Sequence, residues 1–180
     1  MTVSHIVLYS HLLGALALFV GYGIEWTASS LFRNATSTEQ VRAWLRVFKV
    51  SPPLSGAGLA VLLLSGGYLA SLTGAKKQGW IPATLIAIAV ALILGFAFIL
   101  PRMKKIRKSL PSLNEPISTE LRARLSDPLL QSAIRIRVLL AVGIVYLMAA
   151  KVPFMPSLLA LAVALVLGIL FSLSVLRRPA

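Results

Sequence analysis

The chain has 180 residues, of which 58% are hydrophobic and 13% are charged, and its mean hydropathy is +0.88. Because soluble globular domains carry about 25% charged residues, this composition excludes an ordinary soluble domain and predicts an integral membrane protein. The absence of cysteine excludes disulfides, thiol nucleophiles and thiolate metal sites. The net charge of +13 comes from basic residues between apolar segments, a placement typical of membrane topology signals and anionic-lipid contact rather than of nucleic-acid binding.

Five apolar segments predict an all-α fold, a polytopic transmembrane helical bundle that forms one integral membrane domain over residues 1–180. A helix needs about 20 residues to cross a hydrocarbon core about 30 Å thick. The predicted spans cover residues 6–31, 53–72, 81–100, 133–150 and 157–176. The fourth is the shortest, because only thirteen residues separate Arg137 from Lys151. It crosses if both cations snorkel to the interfaces, and the alternative is a bundle of four spans.

The distribution of Lys and Arg predicts the orientation. With five spans, fifteen of the eighteen basic residues fall on one side, including Arg177 and Arg178. Only Lys76, Lys77 and Lys151 fall on the other. By the positive-inside rule, the amino terminus lies outside and the carboxyl terminus lies in the cytoplasm, so we expect a protein of the cytoplasmic (inner) membrane.

The two cytoplasmic connections predict amphipathic helices that lie in the membrane interface. The first begins after Ser37, carries its apolar residues at helical spacing, and ends at Pro52 and Pro53. The second continues after Ser118 and is kinked or divided by Pro128. Their apolar positions are Val41, Trp44, Leu45 and Phe48 in the first and Leu121, Leu125, Leu129 and Ile136 in the second.

Basic side chains in these connections predict membrane lipid as a partner. Each Lys or Arg near an anionic surface contributes about 1 kcal/mol of attraction. The residues expected to contact anionic headgroups on the cytoplasmic side are Arg42, Arg46, Lys49, Arg102, Lys104, Lys105, Arg107 and Lys108.

The first span carries ionisable and small residues on one seam. A spacing of three and four residues aligns His11, Gly14, Leu18, Gly21, Glu25, Ala28 and Phe32. Charged residues within spans face the bundle interior, and small residues allow close helix packing, so this seam should face protein. Tyr22 and Ser29 stand three before and four after Glu25, where each can hydrogen-bond to its carboxylate.

Two interpretations of this seam stay open. In the first, His11, Tyr22, Glu25 and Ser29 form a polar pathway that carries an ion, a proton or a small solute. In the second, the protein is a non-catalytic accessory or assembly subunit of a membrane complex. There Glu25 only pairs with Arg33 or another cytoplasmic cation, and His11 only bonds to a carbonyl of a neighbouring span. Because no second acid or His stands beside Glu25 in sequence, we do not expect an enzyme.

Metal or haem handling is a third, weaker hypothesis. His5 and His11 point to different faces of one helix, and the chain has no other His, so one protomer cannot supply two imidazoles to a haem. We therefore predict no cofactor within one protomer, and leave copper or a haem held between protomers as alternatives. The candidate copper ligands on the predicted outer side are His5, His11, Met148 and Met155, since imidazole and thioether suit copper.

Small residues on one helix face predict close helix packing, and with it a homo-oligomer or a larger membrane complex. In the second span Gly66, Ala70 and Gly74 are four residues apart and are preceded by Ser55, Gly56 and Gly58, and in the first span Gly14 and Gly21 are seven apart.

The run Ser10-His11-Leu12-Leu13-Gly14-Ala15, followed by Val20-Gly21, resembles the first span of bacterial integral membrane proteins of unknown function. The second-span elements Pro52-Pro53-Leu54 and Ser65-Gly66-Gly67-Tyr68-Leu69 fit the same group. The chain is also distantly similar to the membrane domain of copper-resistance D proteins, in which a His starts a span and a Trp-x-Gly-Gly element follows. Here that element reads Phe19-Val20-Gly21-Tyr22. The resemblance implies a helical bundle and adds weight to His11 as a metal ligand.

Overall fold

The computed structural model describes residues 3–111 and 116–176, with the side chains in these ranges other than those of residues 76 and 174–176. Within these ranges the chain is helical and contains no strand. The helices are α1 (Val3–Arg33), α2 (Thr38–Leu72), α3 (Trp80–Ile93), α4 (Leu100–Lys108), α5 (Thr119–Leu125), α6 (Pro128–Ala150) and α7 (Phe154–Leu176). A π-helical segment, Leu94–Ile99, joins α3 directly to α4.

Five helical segments are long and apolar enough to cross a membrane, which confirms the predicted all-α bundle. They are Val3–Arg33, Thr38–Leu72, Trp80–Lys108, Thr119–Ala150 and Phe154–Leu173. The fourth predicted span, which was the shortest in the sequence, lies in the 23-residue helix α6. Arg177 and Arg178, on which part of the predicted orientation rests, lie outside the described residues.

Helix α6 is the centre of the bundle. Helices α1 and α2 pack against each other along much of their length, and α6 and α7 form a second such pair. Helix α6 also contacts α1, α3 and the π-helical segment, and its span is the most buried of the five. A polar side chain on α6 therefore faces other helices instead of lipid, which explains how this helix holds buried Gln131, Arg135 and Arg137.

The predicted end of a helix at Pro52 and Pro53 is wrong, because α2 runs through both prolines. A proline removes one backbone N–H, so these two prolines leave the carbonyls of Phe48 and Lys49 without their usual helical donors. Serine hydroxyls take part in the surrounding backbone contacts, with Ser55 Oγ 3.0 Å from the Ser51 carbonyl. Membrane-spanning helices tolerate proline where side chains and neighbouring helices can satisfy the freed backbone groups.

The apolar faces of the amphipathic segments pack on the chain's own core, and their placement in the membrane interface stays a prediction. Val41, Leu45 and Phe48 are buried in the first half of α2, in one cluster with Phe32 of α1. The same cluster includes Met103 and Ile106 of α4, Leu121 and Leu125 of α5, and Leu130 and Ile134 of α6. The predicted division at Pro128 is confirmed, since α5 ends at Leu125 and α6 begins at Pro128.

Asp127 is the N-cap of α6, and both of its carboxylate oxygens make contacts at the break between α5 and α6. Oδ1 accepts the backbone N–H of Leu129 at 2.9 Å, and Oδ2 lies 2.8 Å from Arg102 Nε. We expect Asp127→Ala to lower the free energy of unfolding by about 1 kcal/mol through the lost N-cap. Asp127→Asn keeps the cap and loses only a half-exposed ion pair, so it should cost less. Thermal midpoints in mild detergent check this order, and equal losses in the two variants would contradict it.

Candidate functional site

The predicted seam of α1 is buried against the rest of the bundle. Gly14, Leu18, Gly21, Glu25, Ala28 and Phe32 are all buried, which confirms that this seam faces protein. Its small residues bring the backbones of α1 and α2 very close together. A Cβ atom added at Gly58 would lie 2.7 Å from the Gly14 carbonyl oxygen, and one added at Gly21 would lie 2.8 Å from Ser55 Cβ. Because the two helices lie this close together, the Ser51 hydroxyl of α2 reaches the Glu25 carboxylate of α1.

The Glu25 carboxylate is the centre of a buried polar cluster. Its Oε2 accepts a hydrogen bond from Arg137 Nη1 at 2.8 Å, and its Oε1 lies 2.9 Å from the Ser51 hydroxyl. That hydroxyl also lies 2.7 Å from the Gly21 carbonyl, so its one proton has two acceptors. Only 4% of the Glu25 side chain and 10% of the Arg137 side chain are exposed. The ion pair therefore ties α1, α2 and α6 together within the membrane-spanning part of the bundle.

Besides Glu25, the Arg137 guanidinium lies against the Tyr22 ring and Gly95. Its Cζ stands 4.3 Å from the centre of the Tyr22 ring, a cation–π distance. On the π-helical segment, a Cβ atom added at Gly95 would lie 3.5 Å from the same Cζ, so glycine leaves room for the guanidinium there. Its Nε is buried and has no hydrogen-bond partner among the described residues. Arg137 thus retains one donor that Glu25 does not use.

These contacts correct two predictions and specify a third. Arg137 does not snorkel to the interface, because its counter-charge lies inside the bundle. Of the cations predicted to pair with Glu25, which were Arg33 or another cytoplasmic cation, the structure places Arg137 of α6 beside it. Ser29 does not hydrogen-bond to Glu25, since its hydroxyl donates to the Trp26 carbonyl at 2.8 Å. Tyr22 takes part in the cluster through its ring.

Ser29 belongs to a second polar contact between α1 and α6. Its carbonyl accepts a hydrogen bond from Gln131 Nε2 at 2.9 Å, and Gln131 Oε1 lies 3.3 Å from Arg135 Nη2. The predicted polar seam therefore divides at this end into two buried contacts. One centres on Glu25 and Arg137, and the other on Gln131 and Arg135.

A partly open cavity of about 180 Å³ lies beside the Glu25–Arg137 pair, and we call it the cleft. Tyr22 and Glu25 of α1 and Arg137 of α6 form its inner side. One wall comes from α2, with Phe48, Pro52, Ser55, Gly56 and Leu59. The other comes from α3, the π-helical segment and α4, with Leu92, Gly95, Phe96, Ile99, Leu100, Met103, Lys104 and Arg107. The two irregular places in the helices, the Pro52-Pro53 pair and the π-helical segment, thus face each other across the cleft.

The residues that line the cleft carry an excess of positive charge. They include three cations, Lys104, Arg107 and Arg137, against the single carboxylate of Glu25. Because Glu25 already neutralises Arg137, the two exposed cations of α4 remain unmatched within the lining. The cleft therefore has the charge to attract an anion.

His11 is held by the second helix, where it makes the predicted hydrogen bond to a carbonyl of a neighbouring span, that of Leu62. Its Nδ1 lies 3.0 Å from the Ser65 hydroxyl. That hydroxyl also lies 2.5 Å from the Val61 carbonyl oxygen. Gly66 makes room for the ring, because a Cβ atom added there would lie 3.0 Å from His11 Cε1. Fourteen residues and about 21 Å of helix separate His11 from Glu25, so the two are not in contact.

The candidate copper ligands differ in their exposure. His5 is exposed, Met155 exposes 73% of its surface and Met148 is half-buried. Over the described ranges, no group of three or more His, Asp or Glu side chains is placed to hold a metal ion. A copper site at His5, His11, Met148 and Met155, or a haem between protomers, stays a prediction.

The close contact of α2 with α1 uses part of the predicted small-residue series. Ser55 and Gly58 meet Gly21 and Gly14 of α1, and Gly66 lies against the His11 ring. Gly74 lies beyond the end of α2 with φ of +66°, and a Cβ atom added there would meet nothing within 4 Å. Its predicted role in helix packing is therefore wrong, and its actual role is the left-handed turn after the helix.

The basic residues predicted to contact anionic lipid divide into two groups. Arg42 donates to the Pro111 carbonyl and Arg102 pairs with Asp127, so these two cations contact the protein itself. The others are exposed: Arg46, Lys49, Lys104, Lys105, Arg107 and Lys108. Lipid contact at these six residues stays a prediction.

Sequence reasoning missed Ser51, Gly95 and the role of Arg137. A usable signal for Arg137 existed, because a cation inside an apolar span needs a carboxylate, and Glu25 was the one acid within a predicted span. Neither Ser51 nor Gly95 carries a signal of that kind. Both are small residues in apolar segments, and only the packing of the helices shows what they contact.

Comparisons of the chain with protein-family models, curated proteins and solved structures gave no match.

Proposed function

We propose that this protein moves a small anion together with a proton across the cytoplasmic membrane, at the Glu25–Arg137 pair. One observation carries the proposal: both members of the buried ion pair also line the cleft. Ionisable residues within spans, when they pair with each other beside a cavity, mark pathways for ions and solutes. Arg137 Nε is buried and has no hydrogen-bond partner among the described residues, and an anion that takes the place of Glu25 would supply the missing acceptor.

The proposed step is an exchange of partners at Arg137. In the resting state Glu25 and Arg137 neutralise each other. An anion that enters the cleft takes the place of Glu25 beside the guanidinium, which leaves the carboxylate without its counter-charge. A lone carboxylate in apolar surroundings is costly, and Glu25 therefore takes up a proton. One anion and one proton are then held together with no net charge, and both are released when Glu25 returns to Arg137.

The second candidate function is the accessory or assembly subunit. It is favoured by the completeness of the cluster around Glu25, where Arg137 and Ser51 occupy both carboxylate oxygens. In this case the pair fixes the arrangement of α1, α2 and α6, and nothing is transported. The cleft supports the first candidate, since a pair with a purely structural role does not need an open cavity beside it.

Proteoliposomes with a trapped pH dye test the proposal. Methanesulfonate and hexanesulfonate are suitable probes, because sulfonates stay ionised and cross lipid poorly. In the wild-type protein, an inward anion gradient should move protons inward, and Glu25→Gln should abolish this movement. Glu39→Gln is the matched control, since Glu39 is an exposed acid in the first turn of α2 and should leave the rate unchanged.

Two results would overturn the proposal. Equal proton movement in wild type and Glu25→Gln would show that the ion pair takes no part. No movement of either probe by the folded wild-type protein would favour the accessory subunit.

We also propose that the chain lies in the membrane in the orientation derived from its basic residues, with the amino terminus outside. Lys104 and Arg107 then lie at the cytoplasmic end of the third span, and the cleft opens from that side of the membrane toward Arg137. Self-association, or membership of a larger complex, is proposed with it from the Gly-rich helix faces in the sequence.

A further inference from the structure

The walls of the cleft are apolar along most of their surface. Leu59 and Phe48 stand on the α2 side, and Leu92, Ile99 and Met103 stand on the opposite side. Apart from the ion pair and the cations of α4, Tyr22 and Ser55 supply the polar side chains. The hydroxyl of Ser55 already lies within hydrogen-bond distance of the Ser51 carbonyl. Such walls suit hydrocarbon and give few hydrogen bonds to a small hydrophilic ion.

The volume of the cleft fits part of a molecule. Pockets for whole drug-sized ligands measure about 300–1,000 Å³, whereas a closed apolar cavity of about 150 Å³ holds a benzene ring. At about 180 Å³ the cleft takes a short hydrocarbon segment. The rest of a longer molecule would lie at the exposed residues of the cleft, Pro52, Gly56 and Phe96, and Phe96 exposes 70% of its surface. Exposed apolar residues on membrane-spanning helices face lipid, so this opening leads sideways into the bilayer.

Cations mark the other end of the cleft. Lys104 and Arg107 are exposed and line it at α4, and Lys104 lies nine residues, or about 13 Å of helix, beyond Gly95 at the Arg137 guanidinium. An anionic headgroup would therefore meet two cations at the rim before it reaches Arg137. Long basic side chains at the end of a span stand at the level of lipid headgroups.

We infer that the cleft binds a single-chain amphiphilic anion, which enters sideways from the lipid leaflet. Its headgroup meets Lys104 and Arg107 at the rim and moves on to Arg137, and its hydrocarbon chain lies between α2 and the π-helical segment. The binding of this anion is independent of transport, and its movement across the membrane rests on the proposed function. The same chemistry, an anionic head on an alkyl chain, is present in a free alkyl anion and in an anionic phospholipid. We commit to the free alkyl anion as the occupant.

Gly56 offers a variant that fills the cleft without disturbing the helix contacts. A Cβ atom added at Gly56 would meet nothing within 4 Å, although this residue lines the cleft. Gly67 is the matched control, because an added Cβ meets nothing there either, and it stands on nearly the same face of α2 about three turns away from the cleft. Thus Gly56→Trp should block the cleft and Gly67→Trp should not.

The experiment measures uptake and binding of labelled hexanesulfonate and methanesulfonate by the full chain in zwitterionic lipid. We expect hexanesulfonate to be taken up at least about tenfold faster than methanesulfonate, a ratio that corresponds to about 1.4 kcal/mol of preference. Gly56→Trp should abolish hexanesulfonate binding, and Gly67→Trp should match the wild type. As a second variant that does not depend on a bulky side chain, Lys104→Gln with Arg107→Gln should weaken hexanesulfonate binding severalfold.

Each outcome distinguishes this inference from the proposed function. If methanesulfonate and hexanesulfonate are transported equally well, the inferred preference for an amphiphilic anion is wrong and the proposed anion transport stands. If hexanesulfonate binds to the wild type and not to Gly56→Trp, but is never moved, the binding site stands and transport is wrong. If binding disappears when anionic phospholipid replaces part of the zwitterionic lipid, the cleft holds a phospholipid and our choice of occupant is overturned. Binding that survives in Gly56→Trp would place the anion elsewhere.

Discussion

Replacing Arg137 by Met should destabilise the protein by about 3–5 kcal/mol, the usual cost of leaving one charge of a buried pair alone. The variant removes the cation and leaves the Glu25 carboxylate, with 4% of its side chain exposed, without a counter-charge. It also removes the cation above the Tyr22 ring. The measurement is the free energy of unfolding, or the thermal midpoint, of the protein in a mild detergent.

The double variant makes this prediction specific. When Glu25→Gln is combined with Arg137→Met, no charge stays buried, and we expect most of the lost stability to return. Arg102→Met is the matched control at a partly exposed pair, with side chains 22% and 27% exposed, and it should cost no more than about 1 kcal/mol. A double variant that is less stable than Arg137→Met alone would show that the pair does not act as a unit.

Gly58→Ala should have the second largest effect on the free energy of unfolding, although it adds a single methyl group. The new Cβ would lie 2.7 Å from the Gly14 carbonyl oxygen and 2.8 Å from the Leu18 nitrogen. Both are backbone atoms of α1, so neither can turn aside, and the two helices must separate. Overpacking of this kind costs about 1–3 kcal/mol. Because Ser51 reaches Glu25 across the same interface, we expect this variant to slow transport as well.

Gly56→Ala, two residues earlier, gives the opposite expectation. Its Cβ meets nothing within 4 Å, and alanine is favoured over glycine in a helix by about 1 kcal/mol. The two variants should therefore shift the thermal midpoint in opposite directions. Equal midpoints would mean that α1 and α2 do not approach as closely as the structure shows.

The sequence predicted the five candidate spans and the buried seam of α1 because both depend on local patterns. Apolar length identifies a span, and a spacing of three and four residues aligns His11, Gly14, Gly21 and Glu25 on one face. The break before α6 was also predictable, since Pro128 cannot continue a helix through its missing N–H.

The sequence did not predict how α2 passes Pro52 and Pro53, because the support for that helix comes from its neighbours. The same holds for the partner of Glu25, which lies 112 residues away on α6. The cleft was not predictable either, since it forms where Gly56 of α2 faces the π-helical segment of the third span. Each of these features depends on how the helices pack, and no local pattern encodes it.

The exchange of partners at Arg137 is tested most directly by an infrared difference spectrum of the protein on addition of hexanesulfonate. This probe has no carboxyl group, so a new band in the region of protonated carboxyl C=O stretching must come from the protein. We predict such a band in the wild type and in Glu39→Gln, and its absence in Glu25→Gln. Hexanesulfonate that binds in the cleft without producing this band would contradict the account, because Glu25 would then have stayed ionised beside Arg137.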